Sequence, residues 1–265
     1  MRILLTNDDG VGAPGLVALA ERLRAVGELV VVAPERQQSA TAHSATLHKP
    51  IRVREVQVAE GITGYACSGT PSDCVALGLG NLAPGEVELV AAGINHGRNL
   101  GIDVTYSGTV MAALEGCIKG LSSFAISYGP TEGREPAEEA LEVAAEFGAW
   151  LCRRLAEHPL PKGIFLNVNV PAVPRREIGG LRLTRLGRRR YEDVLDRRVD
   201  PWGRPYFWRG LLVKDEGEET DTDEYAVDHG FISVTPLRSD LTAYEFLAEL
   251  ARLDWAARWT PEGAE

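Results

Sequence analysis

The chain opens on an apolar run, Ile3-Leu4-Leu5, that breaks off into Thr6-Asn-Asp-Asp-Gly10. A short unbroken apolar stretch bounded by turn residues reads as a strand buried on both faces. Gly10, Gly12 and Gly15 bracket a tight turn into a helix that Pro14 opens at its first position. Leu16, Leu19, Ala20 and Leu23 then recur at helical spacing until Gly27 stops the pattern. Residues 29–33 form a second apolar strand ended by Pro34, and the polar loop 35–44 opens onto the same sheet edge as Asp8. Residues 47–58 and 61–67 read as strands of a β-rich excursion. Thr70-Pro-Ser-Asp73 is a compact helix start, with Thr70 as N-cap, Pro71 at the first position and Asp73 in the first turn; the helix runs through Val75, Leu77 and Leu79.

The same alternation continues. A strand over 87–94 ends at Asn95, and a glycine- and asparagine-rich loop leads to Tyr106-Ser-Gly-Thr109 and a helix over 110–119 carrying Ala112, Ala113 and Leu114. A strand over 124–128, a long amphipathic helix over 135–158 and a strand over 164–170 follow; Leu141, Ala144, Ala145, Ala149 and Leu151 are the helix's core positions, and Asn167 and Asn169 share one strand face. Repeated β–α alternation predicts an α/β fold, a Rossmann-like doubly wound and mostly parallel sheet. From Pro171 the pattern changes. Arginines and aromatics mingle around Asp200-Pro-Trp-Gly203, which predicts a β-hairpin arm projecting from the core. After the acidic run 215–224, Thr220-Asp-Thr-Asp223 resembles a helix cap, a strand over 230–235 returns towards the main sheet, and a terminal helix over 241–259 carries an apolar stripe suited to core packing or an oligomer contact. The expected division is a catalytic core over 1–175, arm and returning strand over 176–235, and a C-terminal helix over 236–265.

Composition narrows the classes. With 265 residues, 45% hydrophobic and 25% charged, the chain can bury a large core. Its net charge of −10 argues against general binding to nucleic-acid backbones. A small anionic substrate stays compatible, because a bound metal reverses the local field. Cys67, Cys74, Cys117 and Cys152 form no C-x-x-C pair and, with no secretory leader, read as reduced thiols of a cytoplasmic protein. No apolar run reaches membrane-spanning length, so no membrane partner is expected. In the arm, Arg188, Arg189, Arg190, Arg197, Arg198, Arg204 and Arg209 lie among Tyr191, Trp202, Tyr206, Phe207 and Trp208. Such interleaving suits either nucleic acid or a subunit contact. The subunit contact is the reading taken.

The candidate chemistry sits at predicted strand ends. Two carboxylates ~4 Å apart at an effective dielectric near 20 repel by roughly 4 kcal/mol. Asp8 and Asp9 therefore call for a proton, a basic partner or a hard divalent cation; alternatively, one caps the next helix and the other is solvated. Gly10-Val-Gly-Ala-Pro-Gly15 matches the dinucleotide fingerprint G-x-G-x-x-G, with Glu35 near the place of the ribose-binding acid. A pyrophosphate there would meet Asp8 and Asp9 first. Aligning Asp9-Gly10 with the D-x-D-G pattern of haloacid-dehalogenase-like phosphatases puts Asn7 at the nucleophile, and an amide forms no aspartyl phosphate. Receiver domains also carry paired acids after their first strand, but are about half this length, and no Asp ends the second strand here. Ser107-Gly-Thr109 at a helix start offers hydroxyls, free amides and the positive dipole end to a phosphate, or Ser107 is only an N-cap. His96 is either an acid for a leaving group or an exposed loop histidine.

Taken in order, these stretches resemble the SurE family, the stationary-phase survival nucleotidases. The resemblance rests on Thr6-Asn-Asp-Asp-Gly10, Ala33-Pro-Glu-Arg-Gln-Gln-Ser39, Ser68-Gly-Thr-Pro-Ser-Asp-Cys74, Gly93-Ile-Asn-His-Gly-Arg-Asn-Leu-Gly-Ile-Asp-Val-Thr-Tyr-Ser-Gly-Thr109, Leu166-Asn-Val-Asn-Val-Pro171 and Ser233-Val-Thr-Pro-Leu237. It implies a metal-dependent phosphomonoesterase acting on nucleoside 5′- and 3′-monophosphates, and sometimes on short polyphosphate. It further implies a Rossmann-like core and a hairpin that joins dimers or tetramers. It places the metal ligands at Asp8, Asp9, Ser39 and Asn95. All four are oxygen donors, which favours one Mg²⁺ or Mn²⁺ per subunit over Zn²⁺. The expected mechanism has Asp8 or Asp9 steering a water, with Asn95, Ser107, the Gly108 amide and Thr109 on the phosphate oxygens. A metal sensor or nucleotide-binding module without turnover is the alternative from another class.

Overall fold

Ile3 and Leu5 point into one hydrophobic layer and Leu4 into another, and this period-two division of β1 (Arg2–Thr6) organises the molecule. The computed structural model describes residues 1–83, 85–130, 137–188, 190–214 and 219–253. On the first face, α1 (Pro14–Leu23) and α4 (Ala140–Glu157) bury Leu16, Leu19, Leu23, Val143, Leu151 and Leu155. On the other, α2 (Pro71–Leu77) and α3 (Gly108–Ile118) bury Cys74, Val75, Val110 and Ala113. Helices on both faces leave the central strands no solvent side, which is why they read as continuous apolar runs.

β1 lies between β2 (Glu28–Pro34) and β5 (Leu89–His96), parallel to both. The remaining strands are β3 (Val53–Ala59), β4 (Ile62–Cys67), β6 (Ser122–Gly129), β7 (Ile164–Pro171), β8 (Leu181–Leu183) and β11 (Ile232–Arg238). Together they form a nine-stranded sheet in the order β3-β4-β2-β1-β5-β6-β7-β11-β8. Only the β3–β4 and β7–β11 pairs are antiparallel. The mostly parallel α/β sheet is the expected fold. β9 (Arg190–Val199) and β10 (Pro205–Lys214) pair with each other alone, making the expected hairpin, with its turn closed by Gly203 N–H donating to Asp200 O at 3.0 Å. β11 returns from the arm into the main sheet.

Some expectations shift. The strand expected over 47–58 begins only at Val53, which pairs with Cys67 at the end of β4; earlier residues have run past their partner, and Leu47 is 82% exposed. The helix after Thr70 is α-helical only to Leu77 and widens to a π-turn over Gly78–Leu82. Of the helix expected over 135–158, α4 begins at Ala140, and residues 131–136 lie outside the described residues. The terminal helix is seen as α6 (Tyr244–Arg252), with no residue buried; residues 254–265, together with Arg189 and residues 215–218 of the acidic run, lie outside the described residues. Its stripe of Tyr244, Phe246 and Leu247 therefore does not pack as core within this chain. All four cysteines are buried and unbridged. Among the described residues no helix is long and apolar enough to cross a membrane.

Candidate functional site

Strand order reverses at β1, whose two neighbours lead into opposite halves of the sheet. Open α/β sheets take ligands in the crevice beyond the carboxyl ends of strands at such a point. Asp8 and Asp9 leave β1 there, and Asn95 and His96 end β5 beside them. Asn7 shapes the turn: its Nδ2 donates to Gly10 O at 2.9 Å, and Gly10 N–H donates back to its Oδ1 at 3.2 Å. That fully buried amide is bonded within the turn, where a phosphorylated nucleophile would have to be open to its substrate.

Asp8 is only 5% exposed. The Thr109 hydroxyl donates to its Oδ1, and Gln38 N–H donates to its carbonyl at 2.7 Å, tying the β2 loop to the end of β1. Burial pushes the Asp8 carboxyl above its ordinary range; the bond from Thr109 opposes this, and the neighbouring Asp9 charge adds to it. Asp9 accepts from His96 N–H at 3.1 Å and from Gln37 Nε2 at 3.2 Å. Asn95 Nδ2 donates to Gly97 O at 2.7 Å, which leaves its amide oxygen as the donor atom for a cation. Ser39 arrives on a loop whose next residues turn left-handed, Ala40 at φ 55° and Ala42 at φ 50°. Ala42 N–H donates to Tyr106 O at 3.1 Å, closing that loop onto the opposite wall.

The N-terminus of α3 supplies the floor. Ser107 is its N-cap, accepting from Val110 N–H at 3.1 Å, and it also lines the cavity. Gly108 packs on Asp8: a Cβ there would lie 2.9 Å from Asp8 Cβ and 3.0 Å from Thr41 Oγ1. Thr109 is fully buried and meets Asp8 rather than the cavity. Asp8, Asp9, Ser39, Asn95 and Ser107 thus border one cavity of about 390 Å³, joined by Gln37, His96, Arg98, Asn99, Asp103 and Tyr106. The guanidinium in that wall, Arg98, pairs with Asp228 of α5 (Asp223–Asp228) at 2.5 Å.

Behind the wall lies a set of residues to which the sequence pattern gave no role in the site. Asn99 N–H donates to Asn169 Oδ1 at 2.8 Å, and its Nδ2 donates to Ser127 Oγ at 2.8 Å. Asn167 and Asn169 both donate to Asn99 O, at 2.8 and 3.0 Å. Asp223 accepts from Gly101 N–H at 2.9 Å and from Gly187 N–H at 2.8 Å, clamping the glycine-rich loop to the base of the arm. The signal for part of this was visible: two asparagines on one face of an otherwise apolar strand demand partners when buried. The His96 ring stacks on Tyr128, centroids 5.2 Å apart at 17°. Burial, and then the Asp9 charge, push the Tyr128 phenol upward.

Comparison with known proteins finds relatives along nearly the whole chain. The family described as "Survival protein SurE" matches residues 3–193. A Synechococcus elongatus protein named "5'-nucleotidase SurE" is 48% identical over 262 residues, covering 96% of this chain and 99% of the relative. A Moorella thermoacetica protein of the same name is 48% identical over 252 residues, covering 95% of each. The crystal structure of the SurE protein from Aquifex aeolicus superposes with a TM-score of 0.80 at 38% identity, covering 96% of this chain and all of that one. Full-length identity, family match and shared fold place this chain in the SurE family.

Proposed function

We propose that this chain is a metal-dependent phosphomonoesterase that hydrolyses nucleoside 5′- and 3′-monophosphates to nucleoside and phosphate, with short polyphosphate as a further substrate class. The 5′-nucleotidase activity is supported by the relatives that carry that name over nearly their whole length. The observation that carries the reading is the meeting of Asp8, Asp9, Ser39 and Asn95 with the start of α3 around one cavity.

The donor set fits a hard cation. Two adjacent carboxylates, one buried, lie beside a hydroxyl and an amide oxygen, and the cation of the wall, Arg98, is paired with Asp228. Among the described residues no group of three His, Cys, Asp or Glu side chains could hold a metal, so the site relies on Ser39 and Asn95. Oxygen-only ligation suits Mg²⁺ or Mn²⁺ rather than Zn²⁺. When bound, such an ion supplies Lewis-acid polarisation of the phosphate and neutralises the carboxylate pair. Asp9, fixed by His96 N–H and Gln37, and Asp8, fixed by Thr109, orient a water in line with the leaving oxygen. Ser107, the Gly108 amide and Asn95 hold phosphate oxygens, and Thr109 contributes by keeping Asp8 in place. The first-turn amides of α3 have no helical partner and face negative charge favourably. The ester P–O bond breaks as the water oxygen bonds to phosphorus, and the proton released by that water ends on the leaving alkoxide, giving the nucleoside hydroxyl and phosphate.

A panel of nucleoside 5′- and 3′-monophosphates and a short polyphosphate, assayed for phosphate release, tests this. Turnover is expected to vanish in chelator and return with Mg²⁺ or Mn²⁺; full turnover in chelator would refute metal dependence. We further propose a homodimer or homotetramer joined through the arm and α6, whose Trp202, Phe207, Trp208 and Phe246 are more than half exposed. Light scattering of the purified protein is expected to give two or four chains; a monomer at assay concentration would refute this.

A further inference from the structure

A second, smaller cavity of about 260 Å³ adjoins the first and shares Asp9, Gln37 and His96 with it. One wall is the start of α1, Ala13, Pro14 and Gly15; the other is the His96–Tyr128 ring pair. We propose that this slot takes the nucleobase of the substrate, with the base stacking on the His96–Tyr128 pair while the phosphate lies at the start of α3. The inference rests on the phosphomonoesterase reading and adds where the nucleoside goes.

Three observations carry it. The ring planes lie 17° apart with centroids 5.2 Å apart, an offset stack onto which a further flat ring can add. The facing wall is small and flat, because Ala13 and Gly15 project little and Pro14 is a rigid ring. The rim is acidic at Asp9, which disfavours a second anion and suits a neutral planar group. Gln37, the side-chain amide of the slot, spends one N–H on Asp9, and the ring pair is the broadest surface the slot offers a base, so stacking is the main contact. Stacking is tolerant of base identity and grows with ring area. Purines are therefore expected to bind more tightly than pyrimidines, with little separation of AMP from GMP.

Steady-state kinetics on AMP and on glycerol phosphate, an ester without a base, provides the test. Tyr128→Leu is expected to raise the ratio of the AMP KM to the glycerol phosphate KM by about tenfold or more, the loss typical of one base–aromatic stack. Tyr128→Phe, which keeps the ring, should hold the wild-type ratio. In unmutated protein, adenosine should inhibit glycerol phosphate hydrolysis competitively while ribose at the same concentration does not. An unchanged KM ratio in Tyr128→Leu overturns the slot. So does a rise of that size in Tyr106→Ala instead, since Tyr106 is an exposed ring of the larger cavity. Equal inhibition by adenosine and ribose overturns it as well. Each of these leaves the phosphomonoesterase intact, whereas wild-type protein that cleaves neither ester overturns both readings.

Discussion

Asp8→Asn is expected to lower phosphate release from AMP about a thousandfold or more, a loss near 4 kcal/mol of transition-state stabilisation, while making the metal-free protein more stable. Opposite signs on activity and stability follow from where this carboxylate sits. Asp8 is buried and lies beside Asp9, and burial first, with the Asp9 charge adding, holds its folded-state carboxyl above the unfolded range against the bond from Thr109. A group whose folded pKa is raised binds more protons in the folded state between the two pKa values. Its ionised form therefore opposes folding, and stability falls as pH rises through that window. Asparagine mimics the neutral form and keeps an oxygen to accept the Thr109 hydroxyl. Active-site charges of this kind commonly cost ~0.5–2 kcal/mol that a neutral substitution returns. For a chain of this size that is a rise of roughly 1–8 °C in Tm. Added Mg²⁺ or Mn²⁺ should raise the Tm of wild type but not of Asp8→Asn, because a ligand stabilises only the state that binds it. Near-normal turnover in both Asp8→Asn and Asp9→Asn would end the proposed mechanism. A lower Tm in Asp8→Asn would mean that the carboxylate holds the fold together.

What could be read from the chain depended on how local the cause was. The apolar run at Ile3–Leu5, the Thr70–Asp73 cap and the Asp200–Gly203 turn are set by neighbours within a few residues, and each stands where the pattern put it. Thr70 and Asp73 even satisfy each other reciprocally, Thr70 N–H donating to Asp73 Oδ2 at 2.9 Å and Asp73 N–H to Thr70 Oγ1 at 3.2 Å. The cavity wall was legible because residues at carboxyl ends of parallel strands converge wherever the strand order reverses. Its support was legible only in part, since Asn167 and Asn169 on one strand face call for partners without saying which. Asn99 meets Asn167 and Asn169 across some seventy residues, and Asp223 reaches Gly101 from 122 residues away. No periodicity encodes such pairings. Ser39 entered only through family resemblance, because its approach depends on left-handed turns at two alanines, a conformation their sequence does not signal. The exposed stripe of α6 shows the converse, since helical spacing of apolar residues specifies a face but not what covers it.

The second large effect concerns the dinucleotide-like glycines, which the structure uses unequally. Gly15→Ala is expected to cost about 3 kcal/mol, at the upper end for overpacking, and to lower Tm by roughly 6–12 °C. A Cβ on Gly15 would lie 2.0 Å from Ile94 O and 2.9 Å from its carbonyl carbon. Both are backbone atoms of β5, so no rotamer change relieves the contact. α1 must lift from the sheet instead, opening the layer where Leu16 and Leu19 are fully buried. Because Ile94 precedes Asn95 on the same strand, the displacement also reaches the cavity, and AMP turnover should fall in the protein that remains folded. Gly12 provides the contrast, since a Cβ added there would meet nothing within 4 Å and its backbone has no requirement for positive φ. Gly12→Ala should stay within about 0.5 kcal/mol of wild type, as surface substitutions usually do. In a dinucleotide-binding turn the middle glycine is the one that lets backbone approach the pyrophosphate, so function there would suffer at Gly12 as well as at Gly15. Thermal melts and turnover of the two variants thus separate the readings. Loss at Gly15 alone means that the glycine serves helix–strand packing beneath the carboxylate pair, and loss of AMP turnover in a fully stable Gly12→Ala would return the phosphate to the first turn.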